Sequence, residues 1–284
     1  MENQLEQIRD QQKETWNKFA PGWGKWDTWV MNFLKKSGDE IIHQLQLKNN
    51  DVVLDVATGT GEPGLSIAGI VKNGKVIGQD LSDKMLALAR AHAESRGIKN
   101  YETRNCDISE LPFPDNSFDA VSCRMGYMFF PDMLKATQEI YRVPNTGGRF
   151  ATAVWGPAEK NFWIISIMGP ISKNLELPPP VPGAPGMFRC ANPDQMKNIF
   201  ETAGFKNVMT KEKIDQGEAE SFESYWEYMN DVAAPVVSAL SKADEKTRAK
   251  IKQDAYEGFK KRQPGSGPIS LDYSVFIFSG SKQA

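Results

Sequence analysis

Cysteine, histidine and long apolar runs are all scarce in this 284-residue chain. The three cysteines, Cys106, Cys123 and Cys190, are widely spaced and form no Cys-x-x-Cys pair, which argues against a disulfide framework and against a zinc site. The only two histidines are His43 and His92, so a His-rich metal centre is excluded. We therefore expect no bound metal.

A strong net charge is missing as well. The chain has 34 basic and 36 acidic residues and no basic block that would follow a nucleic-acid backbone. No apolar run approaches the roughly 18 residues that a membrane-crossing helix needs, and the amino terminus is polar. We expect a cytoplasmic protein that has no transmembrane segment and does not act on nucleic acid. Its oligomeric state is left open.

Strand and helix patterns alternate through the first half of the chain. DVVLDVA (51–57) is a short apolar run with β-branched residues, typical of a strand buried on both faces of a parallel sheet. Further strand patterns occur at 74–80, 101–107, 118–124 and 149–155, and helix patterns at 64–72, 82–97 and 132–143. This repetition predicts an α/β fold with a doubly wound, mostly parallel sheet. Ligands of such sheets collect beyond the carboxyl ends of the strands.

The last third departs from this alternation. LPPPVPGAPGMF (177–188) is interpreted either as a mobile lid or as a surface connection. A helix over 192–204 and a strand near 205–214 follow, residues 219–262 are strongly helical and charged, and 271–281 forms a seventh strand. Because an insertion joins the last two strands, we expect them to pair antiparallel.

The length and the 40% apolar content fit one large α/β domain over residues 1–284. The expected core covers approximately residues 40–156, 190–214 and 268–284, with cap elements at 1–39, 157–189 and 215–267. Within the cap, the charged helix of residues 242–262 is interpreted as a solvated face rather than a partner-binding surface.

DVATGTGEPG (55–64) contains a Gly-x-Gly-x-x-Gly pattern. Glycine suits a loop that approaches a nucleotide, since a Cβ at Gly59 or Gly61 would block the approach or the required φ. Asp80 ends the second strand about 20 residues beyond Gly59, where a ribose-binding carboxylate belongs. Glycine spacing and one acid fit a dinucleotide as well as S-adenosylmethionine.

Asp55 distinguishes the two cofactors. It lies at the end of the first strand, and we expect its carboxylate to point into the mouth of the cofactor site. A pyrophosphate at about 4 Å from that carboxylate would cost on the order of several kcal/mol. S-adenosylmethionine carries an ammonium and a sulfonium and has no phosphate, so Asp55 favours it.

Four segments together resemble the successive motifs of class I S-adenosylmethionine-dependent methyltransferases, and most closely the "type 11" branch that includes the ubiquinone/menaquinone C-methyltransferases. They are VLDVATGTGEPG, VIGQDLSDKMLALAR, NCDISELPFPDNSFDAVSCRMGYMFF and RVPNTGGRF, within residues 50–155. The resemblance implies a Rossmann-like seven-stranded sheet with an antiparallel last strand and a helical cap, and S-adenosylmethionine as cofactor. Ala57 stands where the family more often has glycine.

The resemblance also assigns residues to the parts of the cofactor. The implied contacts are Asp55, Ala57, Gly59 and Gly61 for methionine, Asp80 for both ribose hydroxyls, Leu81 and Met85 beside the adenine, Asp107 for the adenine amino group with Cys106 and Ile108 flanking it, and Arg124 near the transferred methyl. Purely structural alternatives are a helix cap for Asp55, a turn role for Asp80 and an Asx-turn for Asp107.

Aromatic residues are expected to form an acceptor pocket above the strand ends. The candidates are Trp23, Tyr127, Phe130 and Trp155. They suggest a small apolar or planar acceptor, although ordinary core packing also explains each of them. The acceptor's identity and the methylated atom stay open.

Methyl transfer by in-line displacement requires positioning and shielding, whereas a general base is optional. His43 and His92 are interpreted as structural, so the acceptor is expected to supply its own nucleophile, or a tyrosine or carboxylate assists. One alternative function is an NAD(P)-dependent oxidoreductase, although the chain shows no Tyr-x-x-x-Lys pair. The other is a cofactor-binding protein without transfer activity.

Overall fold

The structure, a computed structural model, describes residues 2–177, 181, 183–265 and 267–283. Within these ranges seven strands form one sheet, in the order β3-β2-β1-β4-β5-β7-β6. The strands are β1 (Val52–Val56), β2 (Lys75–Asp80), β3 (Tyr101–Asn105), β4 (Phe118–Arg124), β5 (Pro144–Trp155), β6 (Lys206–Ala219) and β7 (Ile269–Ser281). The helices are α1 (Glu2–Lys25), α2 (Asp27–Leu45), α3 (Gly64–Ile70), α4 (Asp83–Ser95), α5 (Met133–Arg142), α6 (Phe162–Leu175), α7 (Pro193–Ala203), α8 (Phe222–Val232), α9 (Ala234–Leu240) and α10 (Glu245–Arg262).

Strands β1 to β5 are parallel, and β7 pairs antiparallel with both β5 and β6. This confirms the predicted doubly wound, mostly parallel sheet. The chain runs outward from β1 to β3 and then crosses back to β4 on the other side of β1. The carboxyl ends of β1 and β4 therefore flank a topological switch point, where open α/β sheets bind their ligands.

The centre of the sheet is apolar, as the sequence pattern predicts. Val53, Leu54 and Val56 of β1 are fully buried. Helix α2 packs across β4, β5 and β7, whereas α3 and α4 pack on β2 and β3. Burying such side chains contributes about 1.5–3 kcal/mol each, which makes β1 a rigid support for the loop that follows it.

Helix α1 packs against both α4 and α8. The Asn17 side chain accepts a hydrogen bond from Ser82 Oγ at 2.7 Å, at the start of α4. At the other end, Trp26 Nε1 donates to Asp231 of α8 at 2.8 Å. A Cβ at Gly22 would lie 2.2 Å from the Asp231 carbonyl oxygen, so glycine is required for this close helix contact.

Several boundaries differ from those expected from the sequence. The strand expected at 149–155 begins earlier, because β5 starts at Pro144, and the Gly147 N–H within it donates to the Lys282 carbonyl at 2.7 Å. Helix α6 was not predicted, and β6 extends to Ala219 because it continues to pair with β7. Residues 178–180 and 182 of the Pro-rich stretch lie outside the described residues. The choice between lid and connection stays open, as does the expected division into core and cap.

In the part of the chain that the structure describes, the helices fall short of the length and apolar character needed to cross a membrane.

A candidate cofactor cleft and an adjoining aromatic cavity

The glycine loop turns over the carboxyl end of β1. Gly59 has a φ of +56°, and a Cβ there would meet no atom within 4 Å, so the backbone conformation selects glycine and the space beside it is open. Gly61 has a φ of +114°, and its Cβ would lie 2.6 Å from the Leu65 side chain. Gly61 therefore shapes the turn, whereas Gly59 leaves room for a ligand.

Asp80 lies directly beside this loop. Its Oδ2 accepts the Gly59 N–H at 2.9 Å and its Oδ1 accepts the Ser82 N–H at 2.8 Å. Burial raises the pKa of Asp80, and the backbone N–H groups act in the opposite direction. Each carboxylate oxygen has a second lone pair, so Asp80 can also accept hydrogen bonds from hydroxyl groups of a ligand.

A cleft with an empty volume of about 900 Å³ opens at the switch point. Among its lining residues are eight of the predicted cofactor contacts: Ala57, Gly59, Asp80, Leu81, Met85, Asp107, Ile108 and Arg124. The structure thus brings together residues from the ends of four strands. It also adds Gln79, Glu62 and, from α1, Arg9, which the sequence reasoning missed.

Asp55 does not point into this cleft, and its expected orientation is wrong. Its side chain is fully buried beneath the loop. Oδ2 accepts hydrogen bonds from Thr58 Oγ1 at 2.5 Å and from the Gly64 N–H at 3.1 Å, and Oδ1 accepts one from Ser122 Oγ at 2.6 Å. Burial raises the pKa of Asp55 to about 6 against the effect of these donors. The carboxylate ties the loop to β4 from below.

Gly61 and Cys106 are also not among the cleft-lining residues. The Cys106 carbonyl oxygen instead accepts a hydrogen bond from Gln79 Nε2 at 2.6 Å. Gln79 Oε1 in turn accepts the Ala57 N–H at 3.2 Å, and Gln79 lines the cleft itself. Cys106 thus supports a residue of the cleft wall through its backbone.

The amino terminus of α3 has carboxylates where a dinucleotide-binding loop offers free N–H groups to a pyrophosphate. The Gly64 N–H donates to Asp55 and the Ser66 N–H donates to Glu62, at 3.1 Å in both cases. The Gly59 N–H is bound to Asp80. The predicted like-charge argument, which placed the Asp55 carboxylate at the mouth of the site, is therefore wrong. A different observation disfavours a phosphate here, because Asp55, Glu62 and Asp80 already accept the N–H groups of Gly64, Ser66 and Gly59.

Arg124 is a half-buried cation at the end of β4. Its Nη2 donates to Met31 Sδ at 3.1 Å, and among the described residues no carboxylate oxygen lies within 4 Å of its guanidinium. Burial lowers the pKa of Arg124, while more distant acids such as Glu62 and Asp55 oppose this. A half-buried cation that lines the cleft and has no close carboxylate suits an anionic group of a ligand.

Asp107 forms the Asx-turn that was its structural alternative, and this turn occupies only one of its two carboxylate oxygens. Oδ1 accepts the Ser109 N–H at 2.8 Å. Oδ2 lies 3.8 Å from Arg9 Nη1 of α1, and both residues line the cleft. One carboxylate oxygen is therefore left for a donor such as an amino group.

A second cavity, with an empty volume of about 1090 Å³, adjoins the cleft. Six residues line both spaces: Gln12, Trp16, Trp23, Leu34, Met125 and Phe129. The other walls are largely apolar and aromatic, and include Val30, Phe33, Trp155, Trp163, Met187, Tyr228 and Val232. We call this space the aromatic cavity.

Of the four predicted acceptor residues, Trp23 and Trp155 line the aromatic cavity, and Phe130 lines the cleft instead. The prediction for Tyr127 is wrong, because this side chain is fully buried and lines neither space. Its hydroxyl lies 3.1 Å from Thr137 Oγ1 and its ring packs on Phe150. Tyr127 is a core residue.

Met125 marks the boundary between the two spaces. Its φ of +58° is a left-handed conformation that is rare for a residue other than glycine, asparagine or aspartate. The Met125 N–H donates to the Ala153 carbonyl at 2.9 Å, which holds this turn after β4. Strained residues of this kind occur often at binding sites.

Neither histidine lines the cleft or the aromatic cavity. The His43 side chain is 80% exposed on α2. His92 Nδ1 lies 2.9 Å from the Thr60 carbonyl oxygen, behind the glycine loop. In the described part of the chain, both spaces are therefore without an imidazole.

The sheet order and the cleft define a Rossmann-like α/β protein with a nucleoside-type site at the switch point. Residues 47–204, more than half of the chain, match the family model described as a methyltransferase domain, and the chain belongs to this family. This confirms the predicted membership of the class I S-adenosylmethionine-dependent methyltransferases.

A demethylmenaquinone methyltransferase of Thermus thermophilus is 41% identical over 108 residues, which are 38% of this chain and 49% of that protein. The chain thus matches about half the length of its curated relatives. The crystal structure of the Bacillus subtilis YcgJ protein is similar with a TM-score of 0.58 and 19% identity, covering 88% of this chain and 99% of that one. Phosphoethanolamine N-methyltransferase 2 of Haemonchus contortus, in complex with S-adenosyl-L-methionine, has a TM-score of 0.59 at 18% identity and covers 98% of this chain and 60% of that one. At these identities the structural likeness supports the fold alone.

Proposed function

We propose that the protein transfers a methyl group from S-adenosylmethionine to a small aromatic or apolar acceptor. The observation that carries this proposal is the direct junction of two spaces of different character. One is the cleft, whose wall contains the charged side chains of Asp80, Asp107 and Arg124, and the other is the aromatic cavity. A binding protein without transfer activity would not need the second space. The demethylmenaquinone methyltransferases among the relatives are named for a quinone-type acceptor, which agrees with the second space.

The residues of the cleft fit the cofactor's chemical groups. Asp80 has lone pairs for the two ribose hydroxyls, and Asp107 has one oxygen for the adenine amino group. Arg124 supplies a half-buried cation for the carboxylate of the methionine portion, and Gly59 leaves the space beside it clear. When bound, the cofactor supplies a methyl group activated by a sulfonium.

The chain's own contribution to the transfer is positioning and exclusion of water. Three aromatic rings lie at the boundary of the two spaces, those of Trp16, Trp23 and Phe129. The Trp16 ring contacts the other two edge-to-face, at centroid distances of 5.9 Å to Trp23 and 5.1 Å to Phe129. Such packing holds an acceptor in one orientation and keeps water from the reacting atoms. Since neither histidine lines the two spaces, the acceptor supplies its own nucleophile.

The proposal is tested by incubating the protein with S-adenosylmethionine labelled in its methyl group and two panels of acceptors. One panel holds phenols, naphthols and hydroquinones, and the other holds small polar amines and carboxylic acids. We expect label in at least one aromatic product and none in the polar panel. Transfer to the polar panel alone would overturn the assignment of the aromatic cavity to the acceptor.

A further inference from the structure

The aromatic cavity contains a tyrosine hydroxyl that the packing around it does not use. Tyr228, on α8, lines this cavity and is only 5% exposed. In the described ranges its hydroxyl has no hydrogen-bond partner within 3.5 Å, whereas the hydroxyl of buried Tyr127 has Thr137. The Tyr228 hydroxyl is not sealed by this packing, because the buried side-chain polar atoms without a partner in the described ranges are Trp23 Nε1, Arg149 Nε, Arg189 Nε and the Tyr225 hydroxyl. It therefore stays accessible from the cavity that Tyr228 lines.

The Tyr228 ring is held firmly. Its centroid lies 4.1 Å from that of Trp29, on α2, and 5.8 Å from that of Trp26, between α1 and α2. The Trp29 and Trp26 indole N–H groups are bound elsewhere, to the Glu218 carbonyl oxygen and to the Asp231 carboxylate. These two neighbours therefore do not satisfy the Tyr228 hydroxyl.

Two indole N–H groups of the aromatic cavity also have no partner in the described ranges, that of Trp23 at the boundary with the cleft and that of Trp155 on β5. The remaining polar side chains are bound elsewhere or lie at the boundary. Thr15 Oγ1 donates to the Gln11 carbonyl at 2.7 Å within α1. Gln12 lines the cofactor cleft as well and lies at the boundary. Tyr228 lines the aromatic cavity but not the cleft, so its hydroxyl belongs to the part of the acceptor space away from the cofactor.

Burial raises the pKa of Tyr228 well above its ordinary value, and no charged group on any packed element offsets this effect. The hydroxyl is therefore a neutral donor at physiological pH and does not serve as a base. An un-ionised phenol in an apolar wall is suited to recognise an oxygen atom by a hydrogen bond.

We infer that Tyr228 is a specificity-determining residue, whose hydroxyl donates a hydrogen bond to a hydroxyl or carbonyl oxygen on the aromatic acceptor. This inference rests on the proposed function and deepens it. The acceptor is an oxygen-bearing aromatic, and a pure hydrocarbon of the same shape binds more weakly. A site that hydrogen-bonds a ligand oxygen disfavours the analogue that lacks it, because the buried polar group is then left unpaired.

The test uses two probes of similar shape, 1-naphthol and 1-methylnaphthalene, in equilibrium dialysis with the full chain and saturating S-adenosylhomocysteine. We expect the wild-type protein to prefer 1-naphthol by about five- to tenfold. Tyr228→Phe removes only the hydroxyl, so the preference should fall to about one- to twofold while the S-adenosylhomocysteine affinity and the thermal midpoint stay unchanged.

Tyr225→Phe is the matched control, since Tyr225 is a buried tyrosine of the same helix that lines neither the cleft nor the aromatic cavity. This variant should keep the full preference for 1-naphthol. A preference that survives Tyr228→Phe, or that is absent from the wild-type protein, would overturn the inference. Binding of neither probe would instead count against the proposed function itself.

Discussion

The Gly59 N–H donates to the Asp80 carboxylate at 2.9 Å, across the gap between the ends of β1 and β2. A loop that binds a pyrophosphate keeps such an N–H for the ligand. Here it is bound to an acid that faces the cleft. The contact couples the loop's shape to the residue proposed to hold the ribose, and it separates this cleft from that of a dinucleotide enzyme.

Asp80→Ala should weaken binding of S-adenosylhomocysteine by about 2–4 kcal/mol, because two hydrogen bonds from ribose hydroxyls to a charged acceptor are lost. Isothermal titration calorimetry measures this change. Asp83→Ala is the matched control, because Asp83 is 64% exposed at the start of α4 and lies outside the cleft lining. A loss below about 0.5 kcal/mol for Asp80→Ala would mean that Asp80 does not hold the ribose.

Arg124→Met should have opposite effects on binding and on stability. Removing a half-buried cation that has no close carboxylate among the described residues should leave the thermal midpoint unchanged or higher. S-adenosylhomocysteine should bind about 10- to 100-fold more weakly, because its carboxylate loses a charged hydrogen-bond partner. Adenosine lacks that carboxylate, so its affinity should not change. An equal loss for both ligands would show that Arg124 only supports the fold.

Asp55→Asn should change how stability depends on pH. The folded-state pKa of Asp55 is raised to about 6 from 3.8, so the folded protein holds this proton more tightly than the unfolded chain. The resulting stabilisation is fully present below about pH 4 and is lost as the pH rises through about 6. The asparagine variant has no such proton. The difference in free energy of unfolding between variant and wild type, measured with urea, should therefore shift in favour of the variant by on the order of 2 kcal/mol from pH 4 to pH 7.

Two parallel stability curves over that pH range would show that Asp55 has an ordinary pKa. A uniform loss of stability at every pH would show instead that the amide cannot replace the three hydrogen bonds of the carboxylate.

His43→Ala should leave the rate of methyl transfer to an aromatic acceptor within about twofold of the wild-type rate, because His43 is exposed and lines neither space. If His43 were a general base, its loss would lower the rate about a hundredfold or more. The measurement is the initial rate of label transfer. Loss of turnover in a variant with normal S-adenosylhomocysteine affinity would assign a base to this histidine.

The parts of the site that follow from local sequence were predictable. Strand β1 is a short apolar run, and the loop with glycines at 59 and 61 follows it directly. Asp80 ends the next strand, and its distance along the chain from Gly59 was enough to predict its place beside this loop. Residues at the carboxyl ends of parallel strands share one edge of the sheet. For that reason eight of the expected cofactor contacts line one cleft.

Side-chain direction depends on partners far along the chain and was not predictable. Asp55 turns beneath the loop because Ser122, 67 residues later, donates to it. Tyr127 belongs to the core because α5 brings Thr137 to its hydroxyl. Tyr228 reaches the aromatic cavity only through the packing of α8 on α1, and a tyrosine within a charged helical segment carries no local signal of that contact.

The central claim is that the cleft takes S-adenosylmethionine and not a dinucleotide. Calorimetric titration of the protein with S-adenosylhomocysteine and, separately, with NAD tests it most directly. The account predicts saturable binding of S-adenosylhomocysteine to one site per chain and no detectable binding of NAD. Saturable binding of NAD with no response to S-adenosylhomocysteine would contradict it.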